Sequence, residues 1–153
     1  MKILRLLPLL LAAAASTTFA GEHVYAPYTE LYVRECASCH LAYPPELMTA
    51  PGWKRVMSQL DRHFGSDASL DTPTRDGVAA FLAQRASSRE KHAPSENSAR
   101  ISKTVWFVRE HGTAPPPKIS FANCSACHTR AEQADFNERS LRLPAGFRHS
   151  ERD

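Results

Sequence analysis

A chain of 153 residues, 42% apolar and 23% charged, has material for small domains only, and a net charge of +3 gives no sign of nucleic-acid or anionic-membrane binding. Beyond the N-terminus no stretch is apolar enough to span a membrane, which predicts a mature protein without an integral membrane segment. The first twenty residues are a different matter. Met1 to Arg5 is a short basic region, Leu6 to Ala15 is apolar apart from Pro8, and Thr18-Phe19-Ala20 offers small residues for cleavage. This predicts a secretory signal peptide over 1–20, cut after Ala20. Its loss removes Lys2 and Arg5 and leaves 133 residues with a charge of +1.

The mature chain then opens with a predicted helix from Thr29 to His40, carrying Tyr28, Tyr32, Cys36, Cys39 and His40 along one stripe and stopped by Pro44-Pro45. A second helix begins at Pro51. Trp53, Val56, Met57, Leu60, His63 and Phe64 recur at helical spacing before Gly65 ends it. Thr72 as N-cap with Pro73 behind it opens a third, with Val78, Phe81 and Leu82 on its buried side. Residues 86–98 lack any large apolar residue and read as a linker or solvated loop. Val105-Trp106-Phe107-Val108 fits either a helix or an extended segment. Residues 113–120 form a proline-rich loop, the segment around Cys124 a short helix, and the tail after Phe136 has little apolar material. The expected fold is mainly α: an N-terminal domain over 21–86, a linker over 87–99, and a C-terminal domain over 100–153.

The cysteines define the chemistry. Cys36-Ala37-Ser38-Cys39-His40 and Cys124-Ser125-Ala126-Cys127-His128 are two C-x-x-C-H motifs that use all four cysteines. That pattern is the signature of c-type haem attachment. Two thiols add across the vinyl groups of one porphyrin, and the neighbouring imidazole reaches the iron from the same side. A structural zinc site would need the thiols kept reduced, and a thioredoxin-like pair would not require the histidine. The motifs therefore predict two covalently bound haem c groups, attached at Cys36 and Cys39 and at Cys124 and Cys127, with His40 and His128 as proximal iron ligands. Such attachment takes place outside the bacterial cytoplasm, so signal and motif together predict the periplasm. With only some 65 residues per haem, each porphyrin must be a large part of its domain core.

The far side of each iron decides the function. Met48 and Met57 are the only methionines of the mature chain, and neither follows the second motif. No cysteine is left for a thiolate ligand. Histidine is the alternative, from His23, His63, His92, His111 and His149. His63 lies on the apolar stripe of the second predicted helix, with Met57 as its rival; Met57 reads better as a core residue. His111 follows an aromatic cluster and precedes Gly112, so a turn can present it. His92 sits in the polar linker and His149 in a charged tail, where solvation is expected.

These residues resemble the periplasmic dihaem cytochrome c family, DHC. The likeness lies in Glu35 to Pro45, Trp53 through the Leu60 to Asp71 run, Ile101 to His111 and Asn123 to His128. It implies a two-domain, mainly helical electron-transfer protein with two low-spin haems each held by two histidines, while chain length and histidine supply favour a carrier, not an enzyme. It implies a small high-spin monohaem cytochrome and a membrane b-type cytochrome as partners. Carried over residue by residue, it gives His63 and His111 the distal positions. Chain proximity pairs His63 with the first haem and His111 with the second, with a swap still open. A peroxidase-like haem enzyme or a diatomic-gas sensor, either with an open or displaceable iron position, is the alternative function.

Overall fold

The computed structural model describes residues 24–145 except 26, so the signal segment, His23 and His149 lie outside the described residues. The protein is mainly α-helical. Among the described residues the only β pairing is a set of isolated bridges. The described residues form four helices, α1 (Glu30–Cys36), α2 (Ala50–Met57), α3 (Thr72–Arg85) and α4 (Val105–His111), joined by 3₁₀ turns. α3 is the scaffold of the first half, with α1 and α2 both packed on it. Their interface is a core of Tyr32, Ala42, Met48, Trp53, Val56, Met57, Val78 and Leu82. Both methionines are thus packing residues.

α1 starts where Thr29 Oγ1 accepts the Tyr32 N–H, and it ends at Cys36, one turn earlier than the sequence predicts. A seven-residue helix gains little from propagation, and the chain must turn to deliver Pro44-Pro45, both fully buried, to α2. There the Trp53 indole donates to the Pro45 carbonyl at 2.6 Å. α2 also stops early. Ser58 caps its last turn through the Arg55 carbonyl (2.9 Å), a competing bond that favours helix ends. His63 therefore sits beyond the helix, after a 3₁₀ turn at Leu60–Arg62, in a loop closed by Ala68 N–H on the Leu60 carbonyl (2.8 Å). Phe64 and Gly65 turn this loop with φ of 52° and 106°, values that glycine adopts freely and phenylalanine only under local constraint. In α3 the N-cap is Asp71 rather than Thr72, its carboxylate accepting from the Thr74 N–H at 3.0 Å.

Residues 86–98 are not a solvated loop. Ser87 N–H reaches the Met48 carbonyl (2.9 Å), Thr49 N–H the His92 carbonyl (3.3 Å), and Arg55 the Ser95 carbonyl (2.7 Å). Backbone polarity, which residue hydropathy does not register, fastens the segment to α2. His92, expected in solvent, is buried: its Nδ1–H donates to the Glu46 carbonyl at 2.7 Å and its ring lies against Trp106.

The second half has little side-chain core. α4 is a helix, capped by Thr104 Oγ1 on the Phe107 N–H (3.1 Å) and ended at Gly112, whose φ is 77°. Among the described residues of this half, the buried apolar side chains include Phe107, Ala131 and Ala134. The second motif forms only a 3₁₀ turn at Cys124–Ala126. Residues 138–142 hold it in place: Arg142 N–H donates to the Cys127 carbonyl (2.8 Å) and Thr129 Oγ1 to the Ser140 carbonyl (2.7 Å). Tyr25 reaches this half, where its N–H meets the Ala134 carbonyl (3.0 Å) and its ring meets Phe136 edge-on.

Candidate haem sites

Each motif ends in an imidazole that faces a second imidazole from elsewhere in the chain. At the first site the end of α1 delivers Cys36, and the following turn delivers Cys39 and His40. The His40 Nδ1–H donates to the Leu41 carbonyl at 2.7 Å, which leaves Nε2 as the free lone pair. The loop after α2 sets His63 opposite, with ring centres 6.1 Å apart and planes inclined by 21°. At the second site His128 stands 6.2 Å from His111 at 59°. His111 is carried by the last turn of α4, stacked on Phe107 at 4.2 Å, while His128 leans on Phe136 at 5.1 Å. His111 Nδ1 also lies 3.3 Å from the Phe107 carbonyl.

Burial acts on two of these imidazoles. It depresses the pKa of His63, with the charges of His40 and Arg100 adding to it, and that of His128, with His111 adding. Neutral imidazole is the form that binds metal. The thiols move the other way: burial pushes Cys36 and Cys124 up to about 11 and raises Cys127. A dithiol redox centre needs depressed thiol pKa values, so these pairs lack the activation of a thioredoxin-like motif. A zinc site needs converging donors, and among the described residues no three His, Cys, Asp or Glu side chains come together in that way.

The chemistry that fits is a flat ligand between paired imidazoles. A metal bound at about 2 Å by two facing ring nitrogens, each lying roughly an ångström from its ring centre, sets the centres some 6 Å apart. Both pairs have that spacing. His40, His63 and the thiols of Cys36 and Cys39 would hold one haem, and His111, His128 and the thiols of Cys124 and Cys127 the other. Sequence reasoning overlooked the aromatic packing: Tyr43 stacks on His40 at 4.7 Å, and Arg100 lies 4.3 Å over the Phe64 ring beside His63. Tyr43 could have been found as an aromatic residue one turn past the motif and just before the double proline.

Two such sites in a small helical chain define the class of c-type cytochromes with two haems. The family model for dihaem cytochromes c matches residues 32–136, most of the described chain. The chain belongs to the dihaem cytochrome c family. It is 37% identical to the DHC purified from Rhodobacter sphaeroides, over 72% of this chain and 98% of that one, with a TM-score of 0.61. A second structure of a dihaem cytochrome c from the same organism is 34% identical over 74% and 99% of the two chains, at a TM-score of 0.64. The new dihaem c-type cytochrome of Shewanella baltica OS155 is 33% identical over 78% and 95%, also at 0.64. Comparison with curated proteins gives no match. Family membership makes this an electron-transfer haem protein with two haem c groups. No helix among the described residues is long and apolar enough to cross a membrane.

Proposed function

We propose that this is a periplasmic electron carrier in which His40 and His63 ligate the first haem and His128 and His111 the second, with the four cysteines forming the thioether links. The observation that carries this reading is the spacing of the two imidazole pairs, 6.1 and 6.2 Å between ring centres. When bound, each haem accepts and releases one electron. The chain's own part is to hold two imidazoles at each site, fix their rotation through the Leu41 carbonyl and the Phe107 ring, and keep both axial positions filled. A substrate then finds no open iron, which separates a carrier from a peroxidase-like enzyme or a gas sensor. Export through residues 1–20, with cleavage after Ala20, places the protein in the periplasm. There it passes electrons between a membrane b-type cytochrome and a small soluble high-spin monohaem cytochrome.

The ligation is tested on the mature holoprotein by mass spectrometry and by absorption spectra with and without carbon monoxide. Two haem additions and two low-spin haems that ignore carbon monoxide are expected. His63→Ala and His111→Ala should each turn one haem high-spin or water-ligated. Unchanged low-spin spectra in either variant would assign the distal position to another residue. A methionine–iron charge-transfer band in the wild type would point to Met48 or Met57.

A further inference from the structure

Tyr43 touches both sites. Its ring lies almost flat on the His40 imidazole, 4.7 Å between centres and 13° between planes. Its hydroxyl donates to the Ala122 carbonyl at 3.3 Å, seventy-nine residues along the chain and two before Cys124. The residue is also firmly held. The buried Tyr32 donates its phenolic hydrogen to the Tyr43 carbonyl at 2.7 Å, and the buried Pro44 and Pro45 follow. A tyrosine that merely filled an internal surface would need one such contact. This one spans from the imidazole of one motif to the attachment loop of the other.

We propose that Tyr43 links the two haem sites: it positions the first imidazole relative to the second attachment loop and lies on the route an electron takes between them. The proposal rests on iron ligation by His40 and haem attachment at Cys124. In the transfer, one electron leaves a ferrous haem and arrives at a ferric one; no bond forms or breaks, and the Tyr43 phenol keeps its proton and its oxidation state. Its part is distance and rigidity. Transfer slows as the separation between the two groups grows, so a side chain that fixes their placement also fixes the rate.

The test is pulsed reduction of the two-haem holoprotein, following the relaxation of the electron between haems in wild type, Tyr43→Phe and Tyr43→Leu. Phe81→Leu is the control, because Phe81 packs on Tyr28 and Tyr32 without joining the two motifs. Tyr43→Leu should slow relaxation by about tenfold while both haems stay low-spin, with Tyr43→Phe in between, since it keeps the stack and loses the bond to Ala122. Relaxation within about twofold of wild type in Tyr43→Leu, or equal slowing in Phe81→Leu, would overturn the proposal. If Tyr43→Leu fails to mature, an unchanged rate in Tyr43→Phe overturns it. A wild type with a high-spin first haem, or with no haem at Cys124, would instead sink the ligation reading, and this link with it.

Discussion

His92 is a histidine that must stay neutral. Its Nδ1–H is committed to the Glu46 carbonyl, Nε2 is buried without a protein partner, and Trp106 covers the ring. Burial lowers its pKa from the usual 6.5, with Lys91 and Arg89 adding to the effect and the bond to Glu46 opposing it. The folded protein therefore binds fewer protons here than the unfolded chain. Stability from this residue is present above pH 6.5 and is lost as the pH falls below it toward the depressed folded value. His92→Gln should flatten the decline in denaturant stability between neutral pH and mildly acidic pH. A wild type and variant that lose stability in parallel would show that His92 is accommodated when charged. The sequence places this residue in a polar stretch, and nothing in its neighbours' side chains announces that backbone bonds will bury it.

At the level of the element, α2 joins the α3 scaffold to the segment that follows it. Gly52 lies where α2 meets the segment from 87 to 98, and a Cβ built on it would stand 2.5 Å from Met48 Cγ and 2.9 Å from Pro94 Cδ. Gly52→Ala should cost about 1–3 kcal/mol by overpacking, despite alanine's better helix propensity. Chemical denaturation of the holoprotein checks this, and a stabilised variant would mean that Met48 and Pro94 yield freely. The element types of α1 to α3 were legible because apolar residues recur at helical spacing and Pro and Gly punctuate them. Their ends were less so: Ser58 stops α2, and Asp71 rather than Thr72 caps α3, through side-chain bonds that the spacing does not encode. The motifs, being local, could be read in full. Chain proximity already pairs His63 with the first motif; the loop that sets it opposite His40 is created by α2's early end and turned by the left-handed Phe64, which has no sequence marker beyond the adjoining Gly65.

Across the whole molecule the two sites differ in how the chain supports their proximal imidazoles. His40 gives its Nδ1–H to the Leu41 carbonyl at 2.7 Å, whereas His128 Nδ1 is buried and meets no protein acceptor. A ring nitrogen that donates strongly leaves the opposite nitrogen more basic, and a more basic axial ligand favours the oxidised iron. The first haem should therefore have the lower potential, with a separation on the order of 59 mV corresponding to a tenfold bias in the one-electron equilibrium. With that order of potentials, an electron arriving at the first site would run downhill to the second. The distal variants provide the assignment, because in His111→Ala the remaining low-spin haem is the first, and in His63→Ala it is the second. Potentiometric titration of those low-spin bands should give the lower value in His111→Ala. The reverse order would show that burial around His128 and His111, rather than the hydrogen bond at His40, governs the pair.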